Sequence, residues 1–455
     1  MSSQAFSVKR AQVEFHNFAS FGEPERATAA YLEENRRRNG IIRNHLEFIG
    51  PMTPFLEIGA NAGHTSYLLA NEYDADGFAL DISADALRHG VFLEEAWNLQ
   101  RSPIRIAGDG AQLPFADASI RFIMTHQTLS QFMDLDAIFR EVIRVLAPGG
   151  IFLFSEEPMR RLLSLRLYRA PYEREMKSWE YRLHQWGLLG YLVQDVIGAH
   201  QEESFGIRQN HTLDLNGWDA LVRRHFAAHE YDLFVPERGW GERIVKRLAI
   251  RMDPYQSVWR AARLLGGTIA AVCRKSGDPV TSPLEPFESL LRCPDCQGKF
   301  VLEDESVLVC QVCGYQAPNE GHVFNLLPSA DKRELYPGDR EDIIDFSLPG
   351  HESRLGTGWF ELEGDFGNKY RWIGSEATAT LKRVLPGPLQ LRIRGFALQA
   401  MFTVGRPHLQ VRVNGDLLDD WTLDRVGLFI REVAVPDHDT FQVRITAAPV
   451  WQAPG

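Results

Sequence analysis

The run Pro54-Phe-Leu-Glu-Ile-Gly-Ala-Asn-Ala-Gly-His64 constrains this chain more than any other segment. Its apolar start reads as a buried strand, its glycines as a tight turn, and residues 65–71 as the helix that follows. Such a turn lets the backbone approach a ligand closely, because glycine has no Cβ and accepts positive φ. The rhythm continues downstream. Strands are expected at residues 76–81, 104–109, 120–125 and 151–154, with a helix over 135–146 and a Pro148-Gly-Gly150 turn. Strands alternating with helices predict an α/β domain on a doubly wound parallel sheet, covering residues 1–275.

The turn departs from the G-x-G-x-x-G of dinucleotide sites. Counting from Gly59, Asn61 and His64 stand where the second and third glycines belong. Glu57 also places an anion beside the turn, which a pyrophosphate would oppose and a ligand with ammonium and sulfonium charges would not. That favours S-adenosylmethionine. Asp81 and Asp109 end the next two strands, and acids at the carboxyl edge of such a sheet point into the ligand crevice. Asp81 suits a ribose diol and Asp109 an adenine amine.

From residue 51 to 157 the chain resembles the class I S-adenosylmethionine-dependent methyltransferases. The matching pieces are EIGANAG at 57–63, ALDIS at 79–83, GDGAQLPFADASIRFI at 108–123 and LAPGG at 146–150. The resemblance implies a Rossmann-like fold. It also implies that Glu57, Gly59, Ala60, Asn61 and Gly63 surround the methionine part of the cofactor. Asp81 and Ile82 then lie at the ribose, and Asp109 with Gly110 at the adenine. Asn61 replaces the middle glycine found in many members, and asparagine also tolerates the left-handed region.

The acceptor side is less explicit. His126 follows the fourth strand and is the candidate general base, with a structural or cofactor-lining role as the alternative. Glu156 and Glu157 follow the fifth strand, and one of the two is expected to face solvent. His211 reads as part of the lead-in to a helix over 215–225 rather than as catalytic. Residues 158–207 form a basic and aromatic insertion with Arg160, Arg161, Arg166, Arg169 and Arg174. It suits an anionic, glycan or lipid-carrier acceptor with peripheral membrane contact, or else a helical lid with solvated arginines. Arg247, Arg251, Arg260 and Arg263 carry the same two readings.

Cys293-Pro-Asp-Cys296 and Cys310-Gln-Val-Cys313 give C-x2-C-x13-C-x2-C, the spacing of a closed tetrahedral zinc shell. Gly298 and Gly314 sit where each knuckle needs a tight turn. The segment, 287–330, resembles zinc ribbons, including the small zinc-ribbon partners of methyltransferases, and its stretch from Arg292 to Gly314 is too short to bury a core alone. A structural Zn2+ is expected, with a redox dithiol as the alternative. Cys273 is expected in a buried strand, and residues 276–286 as a linker.

Beyond residue 345, Leu389, Leu391 and Ile393 alternate with polar residues, as do Leu409, Val411 and Val413 ahead of Asn414-Gly415, and Phe441, Val443 and Ile445. This predicts an all-β sandwich over 345–455. Trp359, Tyr370, Trp372, Trp421 and Trp451 either fill it or stack on sugars. The stretch Lys369-Tyr-Arg-Trp-Ile-Gly374 is weakly similar to β-sandwiches appended to bacterial polysaccharide-biosynthesis proteins.

A net charge of −11 argues against a nucleic-acid partner. Residues 1–18 lack the pattern of a secretory signal, and the longest apolar stretch, 264–273, is far short of the ~20 residues that span a bilayer. Unpaired C-x-x-C cysteines point to a reducing, cytoplasmic compartment. The combined expectation is an O-methyltransferase acting on a saccharide or glycolipid precursor. A small-molecule methyltransferase and a non-catalytic glycan-binding scaffold are the competing readings.

Overall fold

The computed structural model describes residues 24–160, 213–235, 257–280 and 283–451, apart from 133, 305, 336–340, 347–350, 364–368, 385–386 and 425; residues 182, 243–244 and 247 are described as well. Arg161, Arg166, Arg169, Arg174, His211 and Arg251 lie outside the described residues. Arg160, Arg247, Arg260 and Arg263 are exposed. The chain divides into two compact units, with the break after Asp331.

In the first unit the elements run α1 (Pro24–Asn44), α2 (Leu46–Ile49), β1 (Phe55–Ile58), α3 (His64–Glu72), β2 (Gly77–Asp81), α4 (Ala84–His89) and α5 (Val91–Ala96). They continue with β3 (Ile104–Ala107), β4 (Ile120–His126), α6 (Leu135–Val145), β5 (Leu146–Met159), α7 (Leu215–His225), β6 (Ala228–Phe234), α8 (Ser257–Leu265) and β7 (Gly267–Arg274). The last members are β8 (Phe300–Glu303), β9 (Val307–Cys310), β10 (Gln316–Glu320), β11 (Val323–Asn325) and α9 (Ser329–Leu335), which crosses the break.

These strands make one sheet of order β6-β7-β5-β4-β1-β2-β3-β11-β10-β9-β8. The five from β3 to β5 are parallel, and β7 then pairs antiparallel with both β5 and β6. Every residue of β1, β2 and β4 is buried, as a parallel sheet covered on both faces requires. Helix α6 shows how the sequence achieves the cover. Asp134 caps its first turn by accepting from the Ala137 N–H, and Leu135, Ile138, Phe139, Val142 and Val145 form the buried stripe. Cys273 is fully buried on β7.

The expected zinc ribbon is not a module standing apart from the first domain. Its strand β11 pairs in parallel with β3, and β10, β9 and β8 extend the same sheet. Phe300, Leu308, Ala317 and Phe324 join the core that holds Leu80, Ile106 and Phe139. The reason lies in size: a segment with too little apolar surface of its own borrows a core from the neighbouring sheet edge. The linker also has a seat. Gly149 donates to the Ser276 carbonyl, and Val280 to that of Pro148.

The second unit, by itself, is antiparallel throughout. Its strands are β12 (Trp359–Glu363), β13 (Tyr370–Ile373), β14 (Glu376–Lys382), β15 (Gln390–Ala397), β16 (His408–Val413), β17 (Asp416–Thr422), β18 (Gly427–Ala434) and β19 (Thr440–Ala448). They form a four-stranded sheet β14-β19-β16-β17 and the pairs β15-β18 and β12-β13. Leu409, Val411 and Val413 are buried while Gln410 and Arg412 are half-buried, and Asn414 and Gly415 make the β16–β17 turn at φ 53° and 97°. Apolar side chains of β15 and β18 pack on those of the four-stranded sheet: Leu391 joins Val413, Phe441 and Val443, and Phe429 joins Leu409.

Candidate active site

At the carboxyl ends of β1 and β2 the chain bends sharply over buried acids. Gly59 and Ala60 donate their N–H groups to the Leu80 carbonyl, 2.9 and 3.0 Å away. Gly59 sits at φ 72°, and a Cβ there would lie 2.4 Å from the Thr128 side chain. No other residue fits. Asn61 adopts φ 50°, the left-handed conformation that let asparagine replace glycine in the motif. Gly63 leads into α3, and Ala60 is buried. Asp81 is 2% exposed; its Oδ2 accepts from the Asn61 N–H and its Oδ1 from the Ser83 N–H, both at 2.8 Å. Ile82 beside it is half-buried. Beyond β3, buried Asp109 accepts from the Ala111 N–H at 2.8 Å, and Gly110 lies under the Phe132 ring.

Glu57 does not open freely onto this turn. Its Oε2 accepts from both the N–H and the hydroxyl of Ser66, at 2.9 and 2.6 Å. Burial pushes its carboxyl up to about 7, against the Ser66 hydrogen bonds and the Arg38 charge, which act to lower it. Neither glutamate after Phe154 faces solvent, contrary to expectation for one of them. Glu157 is fully buried and accepts from the N–H groups of Thr128, Leu129 and Ser130 at 2.7 to 3.0 Å, so it fixes the loop that covers Gly59. Burial pushes it to about 7 as well, against those three donors. Glu156 pairs with Arg37 and Arg38, each at 3.0 Å.

His126 ends β4, 5% exposed, with Nδ1 2.7 Å from the Ser155 hydroxyl and Nε2 without a hydrogen-bond partner among the described residues. Burial, reinforced by the charges of Arg38 and His64, holds its pKa well below the usual histidine range. That direction favours the neutral ring at pH 7.

The N-terminal helix supplies residues that the sequence reading missed. Tyr31 stacks on His64 with centroids 4.4 Å apart. Arg38, 5% exposed, lies 2.6 Å from His64 Nε2 and donates to the Thr65 hydroxyl at 2.8 Å. Glu34 is 2.8 Å from His64 Nε2, and Asn35 donates to the His64 carbonyl. Tyr31, Glu34, Asn35 and Arg38 recur at helical spacing, so one face of α1 packs on the start of α3. That spacing was the available signal, hidden inside a charged run that reads as solvated.

Away from the crevice, the sulfurs of Cys293, Cys296, Cys310 and Cys313 lie within 4.8 Å of one another. Three of the pairs are 3.4, 3.5 and 3.6 Å apart. A tetrahedral zinc with ~2.3 Å bonds sets sulfurs about 3.8 Å apart, so the donor set fits that ion. The close approach of the knuckles explains Gly298, where a Cβ would stand 2.8 Å from Cys310 Sγ.

Residues 56–154 match the family described as a methyltransferase domain. The matched residues run from β1 into β5, across the parallel strands β1 to β5 of the first unit. Among curated relatives, malonyl-(acyl-carrier protein) O-methyltransferase of Methylovorus sp. is 27% identical over 34% of this chain and 53% of its own length. The same enzyme of Methylococcus capsulatus is 34% identical over 26% of this chain and 42% of its own. Fatty-acid O-methyltransferase of Mycolicibacterium smegmatis is 29% identical over 22% and 36%. The chain thus spans about a third to a half of the length of these relatives. All three are methyltransferases, and their names specify acyl rather than saccharide acceptors.

Proposed function

We propose that the first unit binds S-adenosylmethionine and transfers its methyl group to an acceptor oxygen. One observation carries this reading: Asp81 and Asp109, past the ends of the adjacent parallel strands β2 and β3, follow on one side of the turn after β1, whose backbone takes positive φ at Gly59, Asn61 and Gly63. When bound, the cofactor supplies an electrophilic methyl group on a sulfonium. The residues fit it. Each Asp81 oxygen spends one lone pair on a backbone N–H and keeps another for a ribose hydroxyl. Asp109, buried beyond β3, accepts from an adenine amine in this reading, and Glu57 lies buried beneath the turn, held by Ser66. Cys293, Cys296, Cys310 and Cys313 hold a structural Zn2+ in this reading, and their reduced state suits the cytoplasm. No helix among the described residues is long and apolar enough to cross a membrane.

For the acceptor, we favour a carboxylate on an acyl chain, since the O-methyltransferases above are named for malonyl-(acyl-carrier protein) and fatty acid. A carboxylate attacks without surrendering a proton, and neutral His126, held far below its ordinary pKa, is a weak base. The Nε2 of His126, without a partner among the described residues, favours a second reading, in which a saccharide or glycolipid hydroxyl donates to it. Trp359 and Trp421 sit in apolar clusters of the second unit and lend glycan binding no support; a sandwich that merely accompanies the enzyme accounts for them. The test is to incubate the full chain with methyl-labelled cofactor and separate panels of acyl carboxylates and saccharides. Label in a base-labile methyl ester supports the first reading. Label in base-stable sugar ethers overturns it in favour of the second, and binding without any turnover overturns both.

A further inference from the structure

The cysteine segment touches the methyltransferase sheet at one functionally loaded place, the loop carrying Asp109. On the strand leading into that loop, β11 pairs with β3 in the register Val323↔Arg105, Phe324↔Ile106, Asn325↔Ala107. One more bond continues past the ladder, from the Leu326 N–H to the Ala107 carbonyl at 2.7 Å. Asp109 lies two residues further on. Behind the loop, Phe115 bridges to Leu291, Ala116 donates to the Leu290 carbonyl at 2.8 Å, and Arg292 donates to that of Pro114 at 3.0 Å. The loop itself is tied in. The Gln112 amide donates to the carbonyl of Pro294, inside the first Cys-x-x-Cys knuckle, at 2.7 Å, while its backbone N–H donates to the Asp109 carbonyl at 3.0 Å.

The other knuckle holds the opposite end of the brace. The hydroxyl of Tyr315, two residues after Cys313, lies 3.0 and 2.6 Å from the carbonyls of Asn325 and Leu327, so it secures the end of β11. Residues 107–116 are therefore held on both flanks by chain whose own geometry depends on four converging thiols. Small thiolate modules take most of their folding energy from the ion. Loss of the metal would free both flanks at once.

We infer that the cysteine segment braces the Asp109 loop, so that metal occupancy and cofactor affinity are thermodynamically linked in this chain. The inference rests on the cofactor reading given above and assigns Gln112 as a positioning residue. Linkage is reciprocal: the factor by which zinc tightens cofactor binding is the factor by which cofactor tightens zinc binding.

The test uses the full chain, zinc-loaded or stripped by chelator, with S-adenosylhomocysteine as the titrant. Stripping, verified by elemental analysis, should weaken binding at least ten-fold. Saturating S-adenosylhomocysteine should lower the apparent zinc dissociation constant by the same factor in a competition with a colour-forming chelator. Because stripping acts on the whole cysteine segment and not on the loop alone, Gln112→Met provides a second measurement: it removes one hydrogen-bond donor, keeps the side-chain length and touches no thiol. That variant should keep its zinc and bind S-adenosylhomocysteine two- to ten-fold more weakly. The coupling is overturned if stripped protein and Gln112→Met both bind as tightly as the loaded wild type while Asp81→Ala binds more weakly. Should loaded wild type bind no S-adenosylhomocysteine, the cofactor reading falls and the coupling with it.

Discussion

Between Phe55 and Met159 the first unit buries Glu57, Asp81, Asp109, His126 and Glu157 to 5% exposure or less, whereas His351 is the one buried polar side chain among the described residues of the second unit. The second unit keeps its charges outside, in ion pairs such as Lys382–Glu341 and His408–Asp420. Burying a polar group costs free energy unless a partner compensates it. The first unit bears that cost repeatedly along one edge of its sheet, where backbone N–H groups compensate Asp81 and Glu157. The second bears it once. Concentrated, partly compensated polar burial marks a site shaped for a ligand, while an apolar interior with charged faces marks a fold that needs only to be stable. Chemistry belongs to the first unit on this contrast.

The contrast can be broken in four places. The largest effect is expected at the cysteines, because zinc contributes on the order of 10–16 kcal/mol to modules of this kind. Elemental analysis should find one zinc per chain, and Cys293→Ser or Cys310→Ser should abolish it. Amide exchange should then accelerate across residues 287–328, and protein purified without chelator yet free of zinc would contradict the assignment.

Next comes Glu57. Its folded carboxyl, near 7, lies above the ordinary 4.5, so the native state holds a proton that the unfolded chain releases. The stabilisation from this group is present in full below about 4.5 and disappears as pH rises through about 7. Glu57→Gln has no such proton. Relative to wild type it should gain about 1–3 kcal/mol between pH 4.5 and 8 in thermal or denaturant melts. A difference that does not change with pH would mean that Glu57 is ionised throughout.

His126→Ala should change turnover on a carboxylate acceptor by less than ~10-fold, since no proton has to be removed; a loss of about 10²–10⁴-fold would assign it as the base of a hydroxyl acceptor. The smallest effect is expected in the second unit. Trp372, which donates to Glu363 at 3.2 Å, can be changed to alanine with cofactor affinity held within about two-fold of wild type if the polar burial of the first unit is what binds. A larger fall would erase the distinction between the two regions.

Much of the first unit was legible in the chain itself, and for local reasons. The strand at Phe55–Ile58, the helix at Leu215–His225 and the left-handed Asn61 follow from apolar runs, caps and turn chemistry that act over a few residues. The four thiols were legible because spacing alone brings them together. What escaped was long-range. Nothing local announces that β11 will pair with β3, more than 200 residues earlier in the chain. The packing of Tyr31, Glu34 and Arg38 on His64 was likewise hidden, because a charged helical face looks the same whether it meets water or buried histidine. The burial of Glu157 was not legible, for a related reason. A carboxylate after a strand resembles a surface residue until the three N–H groups of residues 128–130 are seen to converge on it.

The central claim is that the crevice around Asp81 holds S-adenosylmethionine. Calorimetric titration of the full chain and of Asp81→Ala with this cofactor tests it most directly. Removing charge-assisted hydrogen bonds worth roughly 1.5–3 kcal/mol should weaken binding about 10- to 150-fold, with one site per wild-type chain and an unchanged thermal melt in the variant. Equal affinity in the two proteins, or no binding by wild type, would contradict it.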